Sequence, residues 1–141
     1  MNLEAIATNT VDAAIPVHSE PGPGLLQTAC EACLKHELVD RAHAVEAQVP
    51  QPIHYRGLNL DVGYRLDLLI DHELIVALKT VDQLLPIQHA QLLTCQKLSN
   101  RTLGLLIHFN SPLIKNGIKR VVLNHPNAQA MASWRPGSSI V

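Results

Sequence analysis

The stretch that most limits the fold of this chain runs from residue 45 to residue 81. Its sequence, VEAQVPQPIHYRGLNLDVGYRLDLLIDHELIVALKTV, contains many β-branched residues, stretches of polar and apolar alternation, and the turn-like pairs Arg56-Gly57 and Asp71-His72. Alternation with such turn residues is typical of antiparallel strands joined by short hairpins. We therefore expect three or four consecutive antiparallel strands in the middle of the chain.

Helical patterns lie on both sides of these strands. Residues 3–15 predict a short helix that ends at Pro16, and the cluster SEPGPG (19–24) interrupts the chain. A second helix is expected from about Gly24 to Asp40, because its apolar side chains recur at three- and four-residue spacing. Pro86 is suited to the first turn of a third helix, 86–99. That helix has these residues available to one side: Ile87, Ala90, Gln91, Cys95 and Leu98.

Two apolar segments follow the third helix. LGLLIHFN (103–110) has the character of a buried strand, and GIKRVVL (117–123) predicts a last strand. The order helix, strands, helix, strand, strand predicts an α/β or α+β domain with one central mixed sheet flanked by helices. We expect a single domain over residues 1–123 and a mobile C-terminal tail over residues 124–141, where periodicity is lost.

Composition and charge narrow the range of functions. Only 3% of the residues are aromatic, which argues against a protein that stacks single-stranded bases on aromatic platforms. Residues 1–50 hold seven acids and two bases, whereas residues 51–141 hold five acids and nine bases, so a polyanion is expected to contact the second half. We expect a cytoplasmic protein without a membrane span, because secretory-signal features, long apolar runs and a disulfide framework are all missing from the sequence.

A carboxylate and a lysine come together in the expected hairpin DLLIDHELIVALK (67–79). If its loop comprises residues 71–73, Ile70 pairs with Leu74 and Asp67 lies opposite Ala77. Asp67 and Lys79 then share one face of the sheet. Such a pair can take part in metal-assisted phosphodiester hydrolysis, with Mg²⁺ on the carboxylate and lysine offsetting charge. By spacing alone the signal is weak, since an acid and a base on a half-exposed strand are more often a solvated pair.

Four segments together resemble one known family. They are GPGLLQTACEACLKHEL (22–38), VPQPIHYRGLNLDVGYRLDLLI (49–70), LIVALKTVDQLLPIQHAQLLTCQKL (74–98) and GLLIHFNSPLIKNGIKRVVL (104–123). From about Ala14 to Leu123 the chain resembles the GxxExxY proteins, a bacterial group in the PD-(D/E)xK nuclease superfamily. The resemblance implies a restriction-endonuclease-like core, in which a mixed sheet carries a metal-dependent site on adjacent strands.

Two helical motifs of that family are altered here. The name motif corresponds to Gly24, Gln27 and Cys30, so the glycine is kept, the glutamate is a glutamine and the tyrosine is a cysteine. The family's Gln-x-x-x-Tyr corresponds to Gln91 and Cys95, so the glutamine is kept and the second tyrosine is also a cysteine. One interpretation is a coupled repacking of both tyrosine positions, which predicts contact between Cys30 and Cys95.

The strand motifs have lost an acid. By resemblance Asp67 is the metal-binding aspartate, and the family's Glu-x-Lys reads Ala77-Leu78-Lys79. Since Mg²⁺ can be held by one or two carboxylates with water and substrate phosphates, the resemblance implies at most a weak Mg²⁺ site at Asp67 and the Leu78 carbonyl. A lost charge at the metal costs several kcal/mol of transition-state stabilisation, and ~4 kcal/mol is about a thousandfold in rate. We expect a nuclease fold with little or no nuclease activity.

Other features favour structural roles. Cys30 and Cys33 form a CxxC motif, but no second motif supplies further zinc ligands and both cysteines lie on the apolar side of the second helix. The eight histidines lack ligand spacing, and His89 is a weak candidate for a general base. A basic group near the last strand can contact phosphates or keep the sheet edge soluble: Lys115, Lys119 and Arg120.

Two other functions stay open. A non-catalytic module that binds nucleic acid or protein predicts salt-sensitive binding of DNA or RNA without cleavage. A homo-oligomeric domain without a nucleic-acid partner predicts concentration-dependent association and no such salt effect.

Overall fold

The fold is a five-stranded sheet with helices on both sides. In the computed structural model, residues 2–123 are described, apart from the side chain of Val62; the tail expected at residues 124–141 lies outside the described residues. The helices are α1 (Leu3–Ser19), α2 (Gln27–Asp40), α3 (Pro86–Ser99) and the short α4 (Ile114–Gly117), and the strands are β1 (Val45–Tyr55), β2 (Leu58–Ile70), β3 (Leu74–Lys79), β4 (Leu103–His108) and β5 (Ile118–Val122).

The sheet is mixed, as the sequence predicts. Its strand order is β1-β2-β3-β4-β5, and every neighbouring pair is antiparallel except β3 and β4, which are parallel. Parallel neighbours need a long crossover, and α3 supplies it. The expected α+β architecture is confirmed, with three strands in the middle of the chain.

The two sides of the sheet carry separate apolar cores. On one side, which we call the α1/α2 face, β2, β3 and β4 pack against α1 and α2; buried members include Leu34, Leu78 and Leu105. On the other side, the α3 face, a smaller core joins the same strands to α3, with Leu69 and Leu92 among its members. The α3 face leaves room for a cavity.

Both expected hairpin turns are confirmed. Arg56 and Gly57 have φ values of 46° and 83°, and Asp71 and His72 have φ values of 51° and 59°. Two consecutive residues with positive φ match the twist of paired strands. In the second hairpin Ile70 pairs with Leu74, which is the register that the sequence predicts.

The expected end of the first helix was wrong. Helix α1 continues through Pro16 to Ser19. Proline removes one backbone hydrogen bond, but the turn that contains it is held by other contacts. Val17 is buried in the α1/α2 core, and the His18 Nε2–H donates to the Ser111 carbonyl at 2.7 Å. These tertiary contacts keep the last turn helical.

The expected buried side of the third helix was also wrong in part. Ile87 is 55% exposed, whereas His89, Leu92, Leu93 and Gln96 are buried together with Cys95. The helix lies close to β4 at Gly104, where an added Cβ would stand 3.0 Å from the Leu92 side chain and 3.1 Å from that of Gln96. This close approach fixes the rotation of α3. None of the helices in residues 2–123 combines the length and the apolar character needed to cross a membrane.

Candidate active site

A half-open cavity of about 70 Å³ lies on the α3 face, between β2, β3 and α3. It has space for a few water molecules. The residues that line it are Tyr64, Arg65, Leu66 and Asp67 from β2, Ile75, Ala77 and Lys79 from β3, and Gln88, Gln91, Leu92 and Cys95 from α3. Four residues singled out in the sequence therefore meet in one place: Asp67, Ala77, Lys79 and Gln91.

Asp67 is held by the backbone of the neighbouring strand. The Leu78 N–H donates to Asp67 Oδ2 at 2.9 Å. Backbone pairing of β2 with β3 runs from Ile70 and Leu74 to Leu68 and Val76, so Asp67 lies one residue beyond it. Its carboxylate accepts a hydrogen bond from this amide at the point where the backbone pairing of β2 and β3 ends. Because the amide and carbonyl of one strand residue point to the same side, the Leu78 carbonyl is also directed toward this gap.

The strands β1 and β2 lose their regular alternation of side chains next to Asp67. Leu66 and Leu69 are three residues apart and would lie on opposite faces of a regular strand, yet both belong to the α3-face core. On β1, Ala47 packs against the α1/α2 core and Val49 against the α3 core, although they are only two residues apart. Between them Gln48 has a φ of 54°. This irregularity places Leu66 and Asp67, two consecutive residues of β2, on the α3 face, while the Arg65 side chain between Tyr64 and Leu66 points to the other side of the sheet.

Helix α3 provides the wall opposite the strands. Gln88, Gln91, Leu92 and Cys95 follow the three- and four-residue spacing of one helix face. Gln91 lies at the exposed rim, whereas Cys95 is buried. His89 points elsewhere: it is buried but does not line the cavity, and burial lowers its pKa. Its position gives no support to the general-base role considered from the sequence.

The comparison with known proteins agrees with this geometry. A family model described as the PD-(D/E)XK nuclease superfamily matches residues 4–121. The chain belongs to the PD-(D/E)XK nuclease superfamily. No curated protein and no solved structure matches the chain. Membership confirms the resemblance at the level of the superfamily and the restriction-endonuclease-like fold; the match does not specify the GxxExxY group.

Within this PD-(D/E)XK fold, Gln27 lies apart from the cavity. It is the first residue of α2, half-buried, and does not line the space around Asp67. The start of α2 is nevertheless tied to the end of β3 through Asn110. Asn110 Oδ1 accepts the Gly24 N–H at 3.0 Å, and its Nδ2 donates to the Thr80 carbonyl.

The two cysteines at the tyrosine positions do not meet. Cys30 belongs to the α1/α2 core and Cys95 to the α3 core, on opposite sides of the sheet. The predicted contact between them was therefore wrong. The same separation keeps Cys95 away from the CxxC pair, and all three cysteines are free thiols.

Cys95 is a neutral thiol beside charged groups. Burial and the charge of Asp67 raise its pKa and Lys79 lowers it, which together bring the pKa to about 11. A thiol with such a pKa is almost entirely protonated at neutral pH, so Cys95 is a poor nucleophile and a poor metal ligand.

Arg65 and Gln88 also line the cavity, and the sequence analysis did not propose them as site residues. For Gln88 the signal was present in the spacing, because it lies three residues before Gln91 on the same helix. Arg65 borders the cavity next to the break in the alternation of β2, which the sequence did not show. The sequence did not show that α3 turns the side that carries Gln88 and Gln91 toward the cavity.

The residues present do not fit a resident divalent cation. The cavity holds one carboxylate, that of Asp67, and one basic side chain, that of Lys79. Within residues 2–123, no group of three His, Cys, Asp or Glu side chains is placed to hold a metal ion. A hard cation prefers several oxygen ligands with negative charge, and here the single carboxylate is offset by the Lys79 ammonium.

Proposed function

We propose that this protein is a bacterial PD-(D/E)XK protein of the GxxExxY type that has little or no Mg²⁺-dependent phosphodiesterase activity. The observation that supports this most directly is the position of Ala77. It lines the same cavity as Asp67 and Lys79, where the resemblance expects a metal-binding glutamate. The cytoplasm is the proposed location, and the three free thiols agree with a reducing compartment.

The physical argument concerns charge at the reacting phosphate. Phosphodiester hydrolysis in such a site needs a metal ion that polarises the phosphate and activates water. One carboxylate and one backbone carbonyl hold a divalent ion weakly, and the neighbouring Lys79 ammonium opposes it. Loss of several kcal/mol of transition-state stabilisation is enough to remove detectable turnover.

The test restores the missing negative charge and compares it with an uncharged side chain of nearly the same size. In Ala77→Glu a carboxylate is added beside Asp67, and in Ala77→Gln a neutral side chain of nearly the same size is added. Calorimetry with Mg²⁺ and Mn²⁺ and cleavage of single- and double-stranded DNA and RNA are measured for both variants and the unaltered protein. We expect metal binding only in Ala77→Glu, and any cleavage that it gains should disappear when Asp67→Asn is added.

Cleavage by the unaltered protein in Mg²⁺ or Mn²⁺, lost in Asp67→Ala, would contradict the proposal. Adding Gln27→Glu to Ala77→Glu gives a second comparison. Because Gln27 does not line the cavity, we expect it to change metal affinity less than Ala77→Glu does.

A second function is favoured by one specific observation. Lys79 lines the cavity and takes no part in the ion pairs found within residues 2–123. A non-catalytic module that binds nucleic acid would use this cation to contact a phosphate.

A further inference from the structure

The hairpin of β1 and β2 extends beyond the rest of the sheet. Backbone pairing of β2 with β3 ends at Leu68, whereas pairing of β1 with β2 continues to Tyr55 and Leu58. We call residues 53–60 the arm; within the described part of the chain no third strand pairs with it. A two-stranded ribbon of this kind is only marginally stable in water unless it packs against another element.

A bulge separates the arm from the sheet. Gln51 pairs with Tyr64 and Ile53 pairs with Leu60, so one residue of β1 lies opposite three residues of β2. Gly63 lies in this bulge, and an added Cβ there would collide with the Gln51 carbonyl. Because a bulge bends a pair of strands, the arm is directed away from the line of the sheet.

The arm has one polar face and one apolar face, because directly paired residues share a face and so do residues two apart on one strand. His54 and Asn59 lie on the polar face, where the His54 Nδ1–H donates to Asn59 Oδ1 at 2.6 Å. The other face carries four large apolar side chains: Ile53, Tyr55, Leu58 and Leu60. All four lie outside both cores of residues 2–123, and Tyr55 and Leu58 are 60% and 54% exposed. An exposed apolar face indicates contact with another protein surface.

The tip of the arm adds a positive charge. Arg56 is the first residue of the turn, and its guanidinium lies 5.5 Å from the centre of the Tyr55 ring. It takes part in none of the ion pairs found among residues 2–123. A surface that complements the arm is therefore apolar and carries negative charge.

The chain itself has such a surface. A groove of about 330 Å³ lies between the end of α1 and the middle of α2. Its lining includes four apolar residues and two glutamates: Pro16, Val17, Pro21 and Ala32, with Glu20 and Glu37. No lysine or arginine lines it, and the ion pairs found in the described residues include neither glutamate. The groove lies in the acidic first half of the chain, which repels a nucleic acid and attracts a basic protein segment.

We propose that two copies of this protein associate through these surfaces, with the arm of each copy in the groove of the other. Arg56 of one copy pairs with Glu20 and Glu37 of the second, and Tyr55 and Leu58 cover the apolar part of the groove. Each copy has one arm and one groove, so reciprocal exchange around a two-fold axis gives two equal contacts and a closed dimer. This interface does not depend on the proposed function of the Asp67 cavity.

The test reverses the charges of the two surfaces separately. The arm variant is Arg56→Glu, and the groove variant combines Glu20→Lys with Glu37→Lys. Sedimentation velocity of the unaltered protein should show a monomer–dimer equilibrium with a Kd of about 10–100 µM, because the interface is small. Each variant alone should weaken dimerisation by at least about tenfold, since like charges then face each other.

Mixing the two variants is the decisive measurement. In a mixed dimer the reversed arm meets the reversed groove and the unaltered arm meets the unaltered groove, so both contacts regain opposite charges. We expect the mixture to dimerise within about threefold of the unaltered protein. Lys97→Glu, on the exposed part of α3, is the control for charge reversal and should change the Kd by less than about twofold.

A second pair of variants tests the apolar contact. Leu58→Ala should weaken dimerisation by about tenfold, because each dimer buries this side chain twice. Leu113 is 55% exposed and lies outside the arm and the groove, so Leu113→Ala should change the Kd by less than about twofold. Urea unfolding of the monomers at low concentration checks that all variants are folded.

Four outcomes would overturn the inference. The first is a protein that stays monomeric at the highest concentration at which it is soluble. The second is dimerisation that persists in the groove variant, which would mean that the arms contact each other instead. The third is a mixture of the two variants that does not dimerise. The fourth is a series of larger species that grow with concentration, which would show an open head-to-tail contact and no closed dimer.

Discussion

The α1/α2 face and the α3 face of the sheet are lined by side chains of the same strands but differ in how completely they are filled. On β3, Val76 and Leu78 are fully buried toward α1 and α2. The alternate residues Ile75, Ala77 and Lys79 point toward α3, and only Ile75 belongs to its buried core. One face is an apolar core along its length, and the other is part core and part polar cavity.

The comparison shows how a site can change without loss of the fold. Because side chains alternate along a strand, the residues that anchor β3 are different from those that face the cavity. A substitution at Ala77 or Lys79 changes the charge of the cavity and leaves the packing of Val76 and Leu78 in place. We therefore expect the two faces to respond differently to mutation.

The largest effect is expected on the α1/α2 face. Leu34 of α2 is 0% exposed, and Leu34→Ala should lower the free energy of unfolding by about 3 kcal/mol, through lost apolar contact and the cavity left behind. Val39 lies on the same helix but is 52% exposed, so Val39→Ala should change stability by less than about 0.5 kcal/mol. Urea unfolding measures both. Equal losses would mean that α2 does not form the core described here.

The next largest effect is expected at Asp67, and it tests whether the stability of the protein depends on this carboxylate. Asp67→Ala leaves the partly buried Leu78 amide without its acceptor and should cost about 1–3 kcal/mol of unfolding free energy. Asp67→Asn keeps an acceptor and should cost clearly less. Urea unfolding of the two variants separates the contribution of the hydrogen bond from that of the charge. Equal losses of unfolding free energy would assign the effect to the charge alone.

A smaller effect of opposite sign is expected at Lys79. Lys79 is half-buried, and it takes no part in the ion pairs found in residues 2–123. Lys79→Met should raise the free energy of unfolding by about 0.5–1 kcal/mol, because the charge no longer has to be kept solvated. Lys97→Met on the exposed side of α3 should have almost no effect. A clear loss of stability in Lys79→Met would show that the charge supports the fold.

The smallest effect is expected at Asp71, in the turn between β2 and β3. Burial tends to raise the pKa of Asp71, but hydrogen bonds from His43 and from the Ala44 amide outweigh it and lower the pKa. A carboxylate with a lowered pKa stabilises the folded state above its unfolded pKa of about 4, and this contribution is lost as the pH falls through the folded pKa.

Asparagine tolerates the positive φ of this turn residue, so Asp71→Asn removes the charge and keeps the conformation. The variant should be less stable than the unaltered protein by under about 0.5 kcal/mol at pH 7, with the difference shrinking below a pH of about 4. Thermal unfolding at several pH values measures it. A difference that grows toward acid pH would contradict the assigned sign.

Local patterns predicted most elements of the fold but not their rotation or their exact ends. The bounds of α3 and both hairpin turns are as expected, because Pro86 and the turn pairs act over a few residues. The end of α1 and the buried side of α3 were mispredicted, because contacts with residues outside each helix, Ser111 and Gly104, decide them.

The sequence by itself determined the hairpin register and hence that Asp67, Ala77 and Lys79 share one face, because alternation and loop length are local properties. Only the tertiary structure decided that Gln91 joins them, that Gln27 lies apart, and that Cys30 and Cys95 are on opposite faces. Those placements depend on how α2 and α3 pack against the sheet and on the irregularity at Gln48, and long-range packing leaves no fixed spacing in the sequence.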